Sequence, residues 1–131
     1  MAEPIRSYRD LSVWQKSIEL VAECYRVSDA FPKSELYGLT GQLRRAAVSV
    51  PSNIAEGKGR RRTRSYLHFL NISYGSLMEV ETLVEIASRL NFLPTEVRDV
   101  LLSRTSEIGR MLNGLIASLE QKLDGDDPAD S

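Results

Sequence analysis

This 131-residue sequence predicts an all-α fold, an antiparallel up-down-up-down four-helix bundle whose second helix is kinked at Pro51. Three observations carry that expectation. Apolar residues recur at helical spacing in four segments, no stretch alternates with period two for long enough to build a sheet, and only short breaker-rich connectors separate the segments. Helices of about 20 to 30 residues joined so tightly leave no chain for a crossover, so consecutive helices must pack as antiparallel neighbours.

The first helix is expected from about Asp10 to Ala30 and stops at Phe31-Pro32, because the residue before proline is driven out of helical geometry. The second begins near Ser34 and ends at Gly57 or Gly59, where glycine suits a helix C-terminus. The third takes Thr63 as its N-cap and runs to Leu90, with Asn91 as its stop. The fourth follows Pro94-Thr95-Glu96, good helix-start chemistry, and reaches Leu123. This gives an N-terminal extension over residues 1–9, a bundle over 10–123, and an acidic tail over 124–131 whose composition predicts disorder.

The helical faces carry further information. On helix 1, Leu11, Trp14, Ile18, Val21, Ala22 and Tyr25 share one side and read as the core stripe, while Val13, Leu20, Cys24 and Val27 fall opposite. On helix 3, Tyr66, Leu70, Leu77, Val80, Val84 and Ala87 form a core stripe, with a second row of Leu67, Tyr74 and Met78. Two helices thus present more apolar surface than one bundle hides, and the second rows are expected to form an oligomer interface. Helix 4 has a single stripe, made of Val97, Leu101, Ile108, Leu112, Leu115, Leu119 and Leu123. On helix 2, Leu39, Leu43, Ala46, Val50 and Ile54 oppose a polar row of Gln42, Arg45, Ser49, Ser52, Asn53 and Glu56. Pro51 removes a hydrogen bond to the Ala47 carbonyl, so Ser49, Ser52, Asn53 and Glu56 are read as a structural polar network beside the break.

Most site chemistries are excluded by inventory. One cysteine forms no intramolecular disulfide, no apolar leader precedes Trp14, and no apolar run approaches the roughly 18 to 20 residues that span a bilayer, so a cytoplasmic setting with no membrane partner is expected. A di-iron bundle needs Glu-x-x-His pairs, yet the single histidine, His68, has Ser65 three positions before it. One Cys and one His supply no closed zinc site within a subunit, so no metal and no cofactor is expected. Cys24 sits mid-helix on an apolar row, which suits an inert thiol. Glu81 and Glu85 are like charges one turn apart, which fits a solvated face better than an acid/base pair. No phosphate-binding loop of the strand-loop-helix type occurs, and no enzymatic activity is expected.

One charged feature remains. Lys58, Arg60, Arg61, Arg62 and Arg64 place five of the chain's 17 basic residues within seven positions, although the net charge is −1. At the end of helix 2 these cations suit the helix dipole; at the start of helix 3 they oppose it by about 0.3 to 1 kcal/mol each. What remains is mutual repulsion that a phosphate would relieve. Repeated around an oligomer, the connector becomes a ring of basic patches with avidity for a long polyanion, which the Asp-rich tail would oppose by folding back over it.

The succession Leu11-x-x-Trp14-x-x-Ser17, Phe31-Pro32, Glu35-x-x-Gly38-Leu39-x-x-Gln42-x-Arg44-Arg45-Ala46 and Val50-Pro51-Ser52-Asn53-Ile54-Ala55-Glu56-Gly57 resembles the four-helix-bundle family related to proteins encoded in 23S rRNA intervening sequences. The likeness continues through Ser65-Tyr66-x-x-Phe69-Leu70 and Gly75-Ser76-x-x-Glu79 and covers residues 7 to 123. It implies a bundle that assembles as a homopentamer, with no established enzymatic role. The chain is also similar to the accessory variability proteins of diversity-generating retroelements, pentamers that engage nucleic acid, which implies RNA or DNA as a partner. The resulting expectation is RNA or DNA binding through Lys58, Arg60, Arg61, Arg62 and Arg64, with Arg44 and Arg45 as auxiliaries. The alternative is a scaffold that recruits a partner protein.

Overall fold

The computed structural model describes residues 5–125. Four helices, α1 (Ser12–Ser28), α2 (Leu39–Lys58), α3 (Thr63–Arg89) and α4 (Thr95–Gly125), pack on one another, with no strand among the described residues. Short 3-10 turns at Tyr8–Asp10 and Lys33–Glu35 precede α1 and α2. α2 packs most extensively on α3; α3 also meets α4, and α1 meets both α2 and α4. Contacting pairs run in opposite order along neighbouring helices. Ser49 meets Ser76 and Val50 meets Ser73 between α2 and α3, while Thr105 meets Glu81 and Arg98 meets Glu85 between α4 and α3.

The ends of the helices follow local chemistry. The expected N-terminal extension is tied down in its described part: Ser7 Oγ accepts from the Arg9 amide, and the Asp10 carboxylate accepts from the amides of Arg6 and Ser7. Tyr8 then lays its ring 5.1 Å from that of Trp14. α2 starts later than the sequence predicts, because Lys33–Glu35 forms its own turn and the Glu35 carboxylate accepts from the Leu39 amide at 3.0 Å, capping α2 from outside. α3 ends at Arg89, and Asn91 adopts φ 63°, the left-handed conformation that lets the Phe92 amide reach back to the Ala87 carbonyl at 2.8 Å. Phe92 thereby meets Phe31, the residue that ends the first segment, with ring centroids 5.9 Å apart. α4 runs two residues past the expected boundary to Gly125; residues 126–131 of the expected tail lie outside the described residues.

The core corrects the reading of α1. Leu20 and Cys24 are fully buried within the single chain and Val13 is 5% exposed, so these three are not available to another copy; Val27 packs half-buried against them. The stripe expected to be core faces outward instead: Ile18 is 42% and Tyr25 43% exposed, Ala22 is exposed, and Leu11, Trp14 and Val21 are half-buried at the rim. The buried stripe includes two serines at helical spacing, Ser17 and Ser28, whose hydroxyls donate to the carbonyls of Val13 and Tyr25. A hydroxyl bonded to its own helix removes most of the penalty for burial, and the small side chain lets the next helix approach. Bulk favoured the wrong face.

The other helices pack as their periodicity predicts. The expected core residues of α2 and α3 are buried without exception, and Leu101, Ile108 and Leu112 anchor α4. Leu67, Tyr74 and Met78 of the second α3 row are half-buried rather than free. Pro51 lies buried inside α2.

Candidate nucleic-acid interface

The basic connector is built by two helix ends that meet at close range. Gly57 faces α3, and a β-carbon there would lie 3.0 Å from Phe69 Cβ, 3.0 Å from Tyr66 Cδ1 and 3.1 Å from the Tyr66 carbonyl. Only a residue without a side chain allows that approach. α2 then closes through bonds from the Gly59 amide to the Ala55 carbonyl and from the Arg60 amide to the Gly57 carbonyl. Arg62, not Thr63, is the N-cap of α3; it is extended and makes no side-chain cap bond, while Thr63 is the first helical residue and is buried.

The five cations divide into two groups. Lys58 Nζ lies 5.9 Å from the Tyr66 ring centre, and the Arg60 guanidinium lies 4.7 Å from that of Phe69 and 3.5 Å from the Glu56 carboxylate. These two are held by aromatic faces and one carboxylate. Arg61, Arg62 and Arg64 are exposed and have no hydrogen-bond, ion-pair or ring partner among the described residues. They gather at the N-terminus of a 27-residue helix, where the first-turn amides have no intrahelical acceptor. These three guanidiniums, unpaired among the described residues, make a positively charged surface at this helix end.

Arg44 and Arg45 are not part of this surface. They lie about 20 Å away along α2, at 1.5 Å per residue. Arg44 donates from Nε to Ser28 Oγ, from one terminal nitrogen to the Tyr25 carbonyl and Asp29 carboxylate, and covers the Tyr25 ring at 4.6 Å. It closes the C-terminal end of α1, a structural task that leaves it poorly placed as a phosphate contact. Arg45 is exposed beside Tyr25, Leu36 and Val48 in a separate groove.

The polar row of α2 also separates into parts. Ser49 Oγ and Ser76 Oγ are 2.7 Å apart, and Asn53 Nδ2 donates to both the carbonyl and the hydroxyl of Ser49. Ser73, buried on α3, donates to the Val50 carbonyl one residue before the proline. Ser52 and Glu56 point to solvent, outside this network. The sequence reading missed Ser73 and Ser76 because α3 hydroxyls become partners only once α2 lies beside them. Tyr66 and Phe69 escaped notice as seats for Lys58 and Arg60 for the same reason: the pairs span a helix junction that neither helix's periodicity describes.

Other chemistry is sparse. Burial, with a smaller contribution from Glu23, pushes the Cys24 thiol up to about 12. His68 is exposed, 5.2 Å from the Phe69 ring. Among the described residues, no group of three or more His, Cys, Asp or Glu side chains is arranged to hold a metal, and no helix is long and apolar enough to cross a membrane.

Comparison with known proteins gives two findings. A family model described as 23S rRNA-intervening sequence protein matches residues 9–114. A solved structure from Bacteroides thetaiotaomicron, described as a protein with unknown function from the S23 ribosomal protein family, superposes with a TM-score of 0.72 at 21% identity, covering 79% of this chain and 97% of that one. At that identity the likeness concerns the fold. No match is found among curated proteins.

Proposed function

The chain belongs to the 23S rRNA-intervening sequence protein family, and from that premise we propose that it is a non-enzymatic, homo-oligomeric accessory protein that binds RNA or DNA. The observation that carries the reading is the trio Arg61, Arg62 and Arg64 at the start of α3, unpartnered among the described residues. Phosphate oxygens would neutralise the trio, while base edges have nothing comparable to read here, so binding is of the backbone, sequence-independent kind. Single-stranded RNA, with its phosphates accessible along the whole strand, is the first polyanion to test.

An exposed apolar patch supports the oligomeric part of the reading. The outward stripe of α1, with Ile18 and Tyr25, continues onto Leu36 and Val48, all at least 40% exposed. A second copy that covers this patch would remove apolar surface from water and place several connectors on one assembly, and the family resemblance implies a pentamer.

The test is the salt dependence of binding to a short oligouridylate. Three phosphate contacts predict that Arg61→Ala/Arg62→Ala/Arg64→Ala flattens the slope of log affinity against log salt by about 2. Arg44→Ala, at the far end of α2, should leave that slope as it is. A triple variant with an unaltered slope would falsify the assignment. A protein-recruiting scaffold is the second reading, favoured by the apolar cleft of ≈ 420 Å³ between Val27, Phe92, Leu93, Val97 and Val100; a peptide partner seated there would bind with no dependence on Arg61, Arg62 or Arg64.

A further inference from the structure

We propose that the cleft between the first turns of α3 and the last turns of α4 receives an unstacked nucleobase, so that the protein takes single-stranded nucleic acid in preference to duplex. This rests on the nucleic-acid reading above and adds a base contact to its phosphate contacts. The cleft measures ≈ 700 Å³; Arg64, Leu67, His68 and Asn71 line it from α3, and Glu120, Leu123 and Asp124 from α4. Its α3 wall continues the basic connector. Arg64, His68 and Asn71 stand at i, i+4 and i+7, on one face of the helix, and all three are exposed. Within about 10 Å along α3 the surface therefore passes from guanidinium to imidazole to carboxamide. His68 also belongs to the connector's cluster of rings and cations: its ring lies 5.2 Å from that of Phe69, which carries the Arg60 guanidinium at 4.7 Å.

The charges sort the two parts of a nucleotide. Glu120 and Asp124 line the cleft together with Arg64, yet among the described residues neither forms an ion pair with it within 4.0 Å. Their carboxylates repel a phosphate from the cleft, while Arg61, Arg62 and Arg64 attract it beside the cleft. A base carries no charge and meets no such repulsion. It finds the His68 imidazole as a ring to stack on and the half-buried side chains of Leu67 and Leu123 as apolar surface to cover. It also finds acceptors for its N–H groups in the two carboxylates and in Asn71, whose Nδ2 donates to the Leu67 carbonyl at 2.9 Å and leaves Oδ1 to accept. A ring face and an N–H donor are common to every base, so the contact adds affinity without a sequence code. A duplex keeps its bases paired and stacked inside. Only a single strand can turn a base into the cleft while its phosphates stay on the arginines.

The test compares binding of the full-length chain to three ligands: oligouridylate, an oligomer of abasic sugar phosphates of the same length and charge, and an oligoadenylate–oligouridylate duplex of that length. Oligouridylate should bind about five- to tenfold more tightly than the abasic oligomer, with the same dependence on salt, because stacking on one ring releases no counterions. It should also bind more tightly than the duplex, although the duplex offers twice the phosphate. His68→Ala should lower affinity for oligouridylate to the level of the abasic oligomer while leaving abasic binding and the salt slope unaltered, which also shows that the variant is folded. His68→Phe, which keeps a ring and removes the imidazole nitrogens, should restore the difference. If binding depends on Arg61, Arg62 and Arg64 but oligouridylate and the abasic oligomer bind alike, or His68→Ala weakens both equally, the base contact is overturned and the nucleic-acid reading stands. If none of the three ligands binds, the nucleic-acid reading fails and the base contact fails with it.

Discussion

Cys24 shows how strongly burial controls a single side chain in this bundle. Its sulfur is enclosed by the core, and the thiol is pushed from an ordinary 9.0 to about 12. Below pH 9 both folded and unfolded chains hold the proton and the group is neutral in effect. Between 9.0 and about 12 the unfolded chain loses a proton that the folded chain keeps, so stability falls as pH rises through that window. The loss attributable to this residue is at most about 1.4 kcal/mol per pH unit. Urea unfolding of the wild type and Cys24→Ala at a series of alkaline pH values should show a shallower decline in the variant; parallel curves would rule out the assignment. The residue scale also explains which motifs were informative. Glu35 caps α2, Gly57 permits close approach, Arg44 closes α1 and Asn53 joins the Ser49 network, so four positions within the quoted resemblance have architectural tasks.

At the scale of elements, the junction of α2 and α3 holds most of the site. Tyr66 and Phe69 seat Lys58 and Arg60 only because Gly57 lets α2 touch the first turns of α3. Gly57→Ala would gain about 1 kcal/mol in helix propensity but force a methyl against the Tyr66 carbonyl, Tyr66 Cδ1 and Phe69 Cβ, at a cost of about 1 to 3 kcal/mol. The expected result is net destabilisation. Gly75→Ala is the matched comparison, since a β-carbon there meets nothing within 4 Å and should stabilise α3 by about 0.5 to 1 kcal/mol. Thermal unfolding of the two variants should move in opposite directions. The helices themselves were legible because each carries a full 3.6-residue apolar period, and their ends were legible to within a few residues where Pro32, Gly59, Asn91 and Pro94 break it. The late start of α2 was not, because a carboxylate cap from Glu35 depends on the chain folding back through a 3-10 turn.

For the whole molecule, the exposed face of α1 predicts self-association. Sedimentation should give a mass several times the 14.7 kDa of one chain, and Ile18→Glu/Tyr25→Glu should reduce it to one chain with helicity intact. A wild-type protein that sediments as a monomer at all concentrations would refute the oligomer and with it the avidity that a ring of connectors provides.

The sequence by itself determined the helical class, the number of helices and the basic connector, since all three are local properties: hydrophobic period, breaker placement and charge density are written along the chain. It also determined that α1 has two apolar faces. Only the tertiary structure decided which face is the core. The larger stripe, Leu11 to Tyr25, lost to a smaller one containing Ser17 and Ser28, because burial rewards fit against neighbouring helices as well as apolar area, and two serines that bond their own helix let a neighbour come closer than aromatic rings would. The same rule divides the seven candidate phosphate ligands. Their charge is a property of sequence, but Arg44 is occupied at one end of α2 and Arg61, Arg62 and Arg64 are unpaired among the described residues at the other because of which helix ends packing brings together.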